Sequence, residues 1–337
     1  MMKKLLIVSE QKSFISRPLS HDAILGQERA FLEYGKGNVE IRYLSFFVKG
    51  LNRLLNKVHL RPLCDPFTYK KREDAVYLYI AMSANYLMAN IHHLKNIQKH
   101  GNKLAIYIWD CWEPEYERWT GIIDDLKPDY LILSFKQNYL YFSQLYDNCY
   151  WVAQSANTYF FKDLNIPKTR RFMQMGRVNP GMHAKILAYL DKKGLEDNND
   201  NYVYRRKEKE ALFPDLNDLV KEINRSRYIV CIPKCYESPH KTGDICAMTG
   251  RYYESIACKT LIIGKKPLIF DELFPEDGMI EFDEDLKDFD EKIDELENDE
   301  GKYWTIVNRN YDHFMKYHTW ANRLEKIMAI INDEEVI

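Results

Sequence analysis

Glycine and proline are scarce in this sequence, with 14 and 12 residues among 337. Disordered and low-complexity chains are usually rich in these two residues, and no array of sequence repeats is evident. Hydrophobic residues make up 46% of the chain and charged residues 29%, as in ordinary globular proteins. A globular chain of this length favours two folded domains over one.

Long apolar runs are also missing. None is long enough to cross a bilayer, and the run that follows the first lysines is too short for a secretion signal. The seven cysteines are odd in number and scattered, which is typical of a reduced, cytosolic protein. We therefore expect a cytoplasmic location.

One segment leaves a membrane contact open. Residues 49–61 are basic and carry leucine and valine at helical spacing. Such a helix either packs its apolar side on its own domain or lies against an anionic membrane surface. A peripheral position at the inner face of the membrane therefore stands beside a purely cytoplasmic one.

Neither charge nor metal-ligand spacing points to a particular partner. The formal net charge is −2, which gives no general attraction to nucleic acid. Cys231 and Cys235 are close in sequence, but no second pair of cysteines or histidines stands near them at zinc-ligand spacing. No Asp-x-Asp motif falls in a suitable loop. We expect no nucleic-acid partner, no metal and no cofactor.

Strand-like apolar runs alternate with helical segments along the whole chain, which is typical of parallel βαβ units. In the first half the predicted strands are 4–8, 39–46, 75–80, 103–109, 130–135 and 149–152. The pattern restarts with a strand at 171–175. We predict two α/β domains, residues 1–165 and 166–337, with the cleft between them as the default binding site.

The stretch 226–267 has the order of a ligand site. An apolar strand at 228–232 leads into a polar loop, then a helix that carries Arg251 and Glu254, then a second strand at 261–263. In open α/β sheets, ligands bind beyond the carboxyl ends of the strands and at helix N-termini. The loop before this helix occupies that place.

The same stretch resembles a known family. Arg-Tyr-Tyr-Glu-Ser-Ile-Ala-Cys-Lys at 251–259 is similar to the Glu-Ala-x-Ala-x-Gly helix in the C-terminal domain of group 1 (family 4-like) GT-B glycosyltransferases. Gly-Arg at 176–177, Phe-Asp at 282–283 and the ending at 318–323 agree with that family. The resemblance covers roughly 170–330. It implies a GT-B fold: two Rossmann-like domains facing a cleft, with C-terminal helices returning towards the first domain.

The family implies a role for each matching residue. Glu254 matches the glutamate that accepts hydrogen bonds from the nucleotide ribose, a task that suits an acceptor-only carboxylate. The alternative is a surface glutamate paired with Arg251. Arg177, next to Gly176, matches a basic residue that neutralises the donor diphosphate, and its alternative is a solvated turn residue.

Other matching positions complete the implied nucleotide site. Backbone amides around Thr249 and Gly250 would hold the phosphates at a helix N-terminus, with Arg251 adding charge. The family has a lysine near position 183. Here His183 stands there, and Lys185 follows two residues later.

The sequence departs from the family where a second glutamate usually faces the donor sugar, eight positions before the ribose glutamate. Cys246 occupies that position, so His240 or Asp244 would have to substitute. Lys259 also replaces the usual glycine at the end of the helix motif. The stereochemical course is therefore open.

On the acceptor side, the strand at 103–109 ends in Trp-Asp-Cys-Trp-Glu. Asp110 or Glu113 could be the general base of an inverting enzyme, with Trp109 and Trp112 stacking on a sugar ring. Equally, this segment could be a strand-end turn with a helix-capping carboxylate.

The resemblance therefore implies a glycosyltransferase that moves a sugar from a nucleotide sugar to a glycan or lipid-linked acceptor, in bacterial surface polysaccharide or glycoconjugate synthesis. Two alternatives stay open. One is a sugar-nucleotide epimerase on the same fold, and the other is a non-catalytic member that binds a partner.

Overall fold

The computed structural model describes residues 2–9, 19–43, 71–176, 178–205, 212–213, 215–275 and 277–334. The amphipathic segment 49–61 and Arg177 lie outside the described residues. Contacts between Cα positions divide the chain into two units: Met1–Gln154, His240–Ile245 and Trp320–Ile337 form the first, and Ser155–Pro239 and Cys246–Thr319 the second. The last helix is thus grouped with the first unit, whereas the sequence-based division kept it with the second.

The first unit is built on a six-stranded parallel sheet with the strand order β2-β1-β3-β4-β5-β6. The strands are β1 (Lys4–Ser9), β2 (Val39–Tyr43), β3 (Ala75–Ala81), β4 (Lys103–Ile108), β5 (Tyr130–Leu133) and β6 (Cys149–Trp151). Nearly every residue of β3, β4 and β5 is buried, as expected for parallel strands covered on both faces.

Helices cover both faces of this sheet. Its helices are Leu19–Tyr34, Ala84–Lys99, Tyr116–Leu126, Lys136–Phe142 and Trp320–Ile331, with a 3₁₀ turn at Glu113–Glu115. In the last helix, Trp320 packs edge-on against Phe31, with ring centroids 5.6 Å apart, and also contacts Trp109. The C-terminal helix therefore returns to the first unit, as predicted.

The second unit has a five-stranded parallel sheet with the order β11-β10-β9-β7-β8. The strands are β7 (Arg170–Gln174), β8 (Tyr202–Tyr204), β9 (Ser226–Cys231), β10 (Leu261–Gly264) and β11 (Ile280–Glu281). Its helices are Pro180–Lys192, Leu216–Arg225, Lys234–Glu237, Gly250–Ala257, Phe270–Leu273, Phe289–Asn298 and Glu300–Tyr317, and a short helix, Pro239–Thr242, spans the division between the units. Among the helices of the described ranges, none combines the length and apolar character needed to cross a membrane.

The acidic segment after β10 differs from its prediction. In the sequence, apolar residues recur at helical spacing from 280 to 296, which predicts one surface helix. The structure has the edge strand β11 first and a helix only from Phe289. Asp290 and Asp294 of that helix pair with lysines of helix Pro180–Lys192 and the residue after it; for example, Lys193 Nζ lies 2.7 Å from the Asp294 carboxylate. The acidic helix is therefore neutralised within its own unit.

Candidate functional site

Several predicted donor residues gather at the carboxyl edge of the second unit's sheet. The strand order reverses there, because β8 lies on one side of β7 and β9 on the other. In doubly wound sheets this reversal opens a crevice between the loops, which is the usual ligand site. Gly176 follows β7 and Cys231 ends β9, and helix Gly250–Ala257 begins at the same edge.

The turn after β7 is shaped around Arg251. Gly176 has a φ of +74°, in the left-handed region where a glycine has no steric cost. A Cβ at this position would lie 2.6 Å from Nη2 of Arg251. The absence of a side chain therefore lets the guanidinium lie against the turn, which brings a permanent positive charge to the crevice.

Glu254 stands one turn further along the same helix. Burial raises the pKa of its carboxyl group to about 7, although the positive charge of Arg251 acts in the opposite direction. No ion pair joins Glu254 to Arg251 in the part of the chain that the structure describes. Glu254 is therefore not the paired surface residue that the alternative interpretation required.

The start of this helix has no side-chain cap from Thr249. Thr249 occupies the N-cap position with an extended backbone, and its side chain makes no capping hydrogen bond. The first amides of a helix point outwards and carry partial positive charge. With Gly250 as the first helical residue, the backbone can be approached closely, as the predicted phosphate contact requires.

His183 is held by a chain of polar groups behind it. The hydroxyl of Tyr202 donates to Gln174 Oε1 at 2.8 Å, so the bond of 3.2 Å between Tyr202 and His183 Nδ1 must be donated by the imidazole. The His183 ring also contacts Tyr204, with centroids 4.5 Å apart. Sequence reasoning missed Gln174, which stands between two methionines, and Tyr202, which follows a polar run typical of a loop.

Lys185 has a carboxylate partner within its own unit. Its Nζ lies 3.0 Å from Asp290, which also pairs with Lys192. A phosphate role for Lys185 would have to compete with this ion pair, and the role stays a prediction. The role of Arg177 also stays a prediction.

The other predicted donor residues group with the first unit. Asp244 and His240 are exposed and belong to the segment His240–Ile245. The backbone N–H of Asp244 donates to Glu113 Oε2 at 2.7 Å, and its carbonyl accepts from Gln137 Nε2 at 2.8 Å. This short segment is therefore fastened by two side chains that sequence reasoning did not connect with it.

Gly243 fits the same contact. Its φ is +58°, and a Cβ on it would lie 2.7 Å from the Cβ of Glu113. The carboxylate of Glu113, predicted as a general base, is thus occupied by a backbone donor. Asp110, two residues after β4, is half-buried, and its backbone N–H donates to the carbonyl of Met82 at 3.2 Å.

The two tryptophans beside these carboxylates are core residues. Trp109 is 7% exposed, and its indole donates to Gln27 Oε1 at 2.5 Å. Trp112 is 9% exposed and packs on Phe135, with ring centroids 5.4 Å apart. Both rings are used by the protein interior, so the structure favours the strand-end interpretation over sugar stacking.

Cys246 cannot replace the missing carboxylate. Its thiol is buried, and burial raises its pKa to about 12, with neighbouring Cys235 acting in the same direction. The side chain is therefore neutral near pH 7. Within the described ranges, no group of three histidine, cysteine or carboxylate side chains is arranged to hold a metal ion.

Comparison with known families decides what the second unit is. Residues 168–329, just under half of the chain, match the family model described as glycosyl transferase-like. This stretch is therefore similar to a glycosyl transferase-like domain. Gly176, Arg251 and Glu254 all lie inside it, at its topological switch point.

The glycosyl transferase-like domain and the first unit together have known structural counterparts. The crystal structure of TarM superposes with a TM-score of 0.53 at 12% identity, covering 83% of this chain and 57% of that one. The structure of accessory secretory protein 1, 2 and 3 of Streptococcus pneumoniae superposes with a TM-score of 0.52 at 14% identity, covering 85% of this chain and 56% of that one. The trehalose-6-phosphate phosphatase N-terminal domain of Candida albicans superposes with a TM-score of 0.57 at 8% identity, covering 98% of this chain and 99% of that one.

These likenesses confirm the predicted fold class, GT-B with two parallel-sheet α/β units. At such low identities they show the fold alone. The chain also spans less than two thirds of the length of the first two structures. A search among curated protein sequences gave no match.

Proposed function

We propose that this protein is a glycosyltransferase that transfers a sugar from a nucleotide sugar to a glycan or lipid-linked acceptor. The observation that carries the proposal is Glu254, an enclosed carboxyl group without an ion partner at the switch point of a glycosyl transferase-like domain. A carboxyl group with a raised pKa in a crevice is a common feature of functional sites. A cytoplasmic location and a role in surface polysaccharide or glycoconjugate synthesis belong to the same proposal.

The crevice groups suit the parts of a nucleotide diphosphate. The Glu254 carboxylate can accept two ribose hydroxyls, which replace the water that burial removed. Arg251 and the start of helix Gly250–Ala257 can bind the diphosphate, and they would stabilise the charge that develops on it as the sugar leaves. The donor residues named here come from the second unit alone.

Asp110 and Glu113 are both proposed for the general base. Glu113 would have to give up the backbone N–H of Asp244 before it could accept a proton from an acceptor hydroxyl. Asp110 stands just beyond a sheet strand and is half-buried. Contact of residues 49–61 with a membrane stays a prediction.

The donor proposal is tested by thermal unfolding with uridine, guanosine, cytidine and adenosine diphosphates. One of the four should raise the melting temperature, because a ligand at about 100 times its Kd stabilises the native state by about 2.7 kcal/mol. Glu254→Gln should abolish that shift, whereas Glu284→Gln, an exposed glutamate in the same unit, should keep it. Failure of all four nucleotides to stabilise the wild type would refute the donor site.

A second candidate is a nucleotide-binding protein of this fold that transfers no sugar. The buried, neutral Cys246 favours it, because the usual sugar-facing carboxylate is missing. The two functions separate in a screen of nucleotide sugars that follows released nucleoside diphosphate with and without candidate acceptors. Binding without release under every condition would favour the second candidate. A changed sugar without transfer would instead indicate an epimerase.

A further inference from the structure

A pair of lysines in the first unit converges on one tryptophan. Trp151 is the last residue of β6, the edge strand of the sheet, and its indole donates to the carbonyl of Ser134 at 3.3 Å. Lys136 Nζ and Lys326 Nζ each lie 5.5 Å from the centroid of the Trp151 ring. All three side chains are half-buried.

The two lysines reach this ring from opposite faces of the sheet. Lys136 begins a helix whose Phe142 packs with the helices on one face, and Lys326 belongs to helix Trp320–Ile331, which packs on the other. The fold therefore brings two positive charges around the carboxyl end of an edge strand. In open α/β sheets ligands bind outside the carboxyl ends of the strands, most often where the strand order reverses.

Among the described residues, no carboxylate pairs with the charge on Lys326. Most other half-buried lysines described here pair with an acid; Lys185 and Lys259, for example, have carboxylate oxygens within about 3 Å. Within the described part of the chain, Lys326 has no such partner. Burial and the positive charge of Arg323 both lower its pKa, so a second cation is near and no anion offsets it.

We propose that Trp151, Lys136 and Lys326 form a binding site for a phosphoryl group. Two ammonium groups supply charge-assisted donors, and the indole that both approach provides an apolar surface for the group that carries the phosphate. If this site is the acceptor subsite of a transferase, it rests on the proposed function. The acceptor would then be a phosphorylated lipid, or a phosphorylated soluble glycan or polyol. As an anion site, it stands without that function.

The experiment measures the Kd of inorganic pyrophosphate by calorimetry on the full chain. Lys136→Ala and Lys326→Ala should each raise the Kd about tenfold, the usual cost of one hydrogen bond to a charged group. Lys326→Arg, which keeps the charge, should retain binding. Lys103→Ala is the matched control, because Lys103 also lies 5.5 Å from a ring, that of Tyr130, at the opposite end of the sheet.

The source of the phosphate is separated with two further probes, dodecyl phosphate in non-ionic micelles and glycerol 3-phosphate. Tighter binding of dodecyl phosphate points to a lipid-linked acceptor, and equal binding points to a soluble one. Loss of dodecyl phosphate binding or of glycerol 3-phosphate binding in the lysine variants supports the site.

Two results would overturn the site: no measurable pyrophosphate binding, or binding that neither lysine change weakens. Binding that disappears only in Arg251→Ala would place the anion in the second unit and would also overturn it. A wild type that binds pyrophosphate through Lys136 and Lys326 but no nucleotide would keep the anion site and remove the donor proposal. The two proposals therefore fail separately.

Discussion

Replacing Glu254 with glutamine should make the protein more stable at alkaline pH and leave it unchanged in acid. The carboxyl group is enclosed although part of the side chain touches solvent, and its pKa rises from 4.5 to about 7 in the folded state. Between pH 4.5 and about pH 7, the folded protein therefore keeps a proton on Glu254 that the unfolded chain has released. By linkage, the stability contributed by the protonated group is complete below 4.5 and is lost as the pH rises through 7.

The size of the effect follows from the shift. Each unit of pKa corresponds to about 1.4 kcal/mol, so the ionised Glu254 should cost the folded state up to about 3 kcal/mol above pH 8. Partial contact with solvent makes this an upper bound. Glutamine keeps the shape and the hydrogen-bonding capacity but cannot ionise, so the variant avoids the cost.

The assay is urea unfolding of wild type and Glu254→Gln at pH 4.5 and pH 8.5. The difference in the free energy of unfolding should be near zero at the lower pH and should favour the variant at the higher one. Carbon-13 NMR of the glutamate carboxyls gives the folded pKa directly. Glu284→Gln, at an exposed position in the same unit, serves as the control. An equal difference at both pH values would refute the argument from burial.

Three further substitutions test separate contacts. Gly176→Ala should destabilise the protein by about 1 kcal/mol in urea unfolding, because its φ of +74° is unfavourable for alanine, and it should displace Arg251 and weaken nucleotide binding. Glu113→Ala should speed hydrogen exchange of the Asp244 amide about tenfold, because that N–H loses its acceptor at 2.7 Å. Burial lowers the pKa of Lys168 to about 7, so the unfolded chain binds the extra proton between pH 7 and 10.5. Wild type should therefore gain up to about 3 kcal/mol over Lys168→Met as the pH rises from 7 to 9.5.

Each of these has a matched control and a result that contradicts it. Gly121→Ala lies in a helix with open space around it and should be neutral or stabilising, so equal losses at both glycines would contradict the turn geometry. Glu117→Ala, an exposed change near Glu113, should leave the Asp244 amide unaltered. A stability difference for Lys168→Met that does not vary between pH 7 and 9.5 would show that its ammonium group is well hydrated.

The strands were predictable from sequence because parallel strands leave a strong apolar signal. β3 was predicted at 75–80 and is found at Ala75–Ala81, every residue of which is buried. The prediction of one helix from residue 280 is wrong for a physical reason. Ile280 pairs with Ile263 of β10, and this long-range pairing overrides a helical spacing of apolar residues that a short strand and a bend can also produce.

The candidate site was predictable only where a local motif carries it. Gly176, Arg251 and Glu254 come from two short motifs, and the fold brings them to one sheet edge. The contact between Glu113 and Asp244 joins residues 131 positions apart, and no local sequence pattern predicts it. For Trp109 and Trp112 the sequence left two interpretations open, since an aromatic residue at a strand end fits a core as well as a sugar site.

The helix that carries Glu254 is fixed at both ends by groups of its own unit. At its start, Arg251 lies against the Gly176 turn. Just beyond its end, Lys168 Nζ donates to the carbonyl of Cys258 at 3.2 Å and to Thr260 Oγ1 at 2.9 Å, placing a donor where helix carbonyls lack partners. A helix anchored in this way holds Glu254 in place before any ligand arrives, so binding need not order that side chain. Preorganisation of this kind supports the proposed donor site in the second unit.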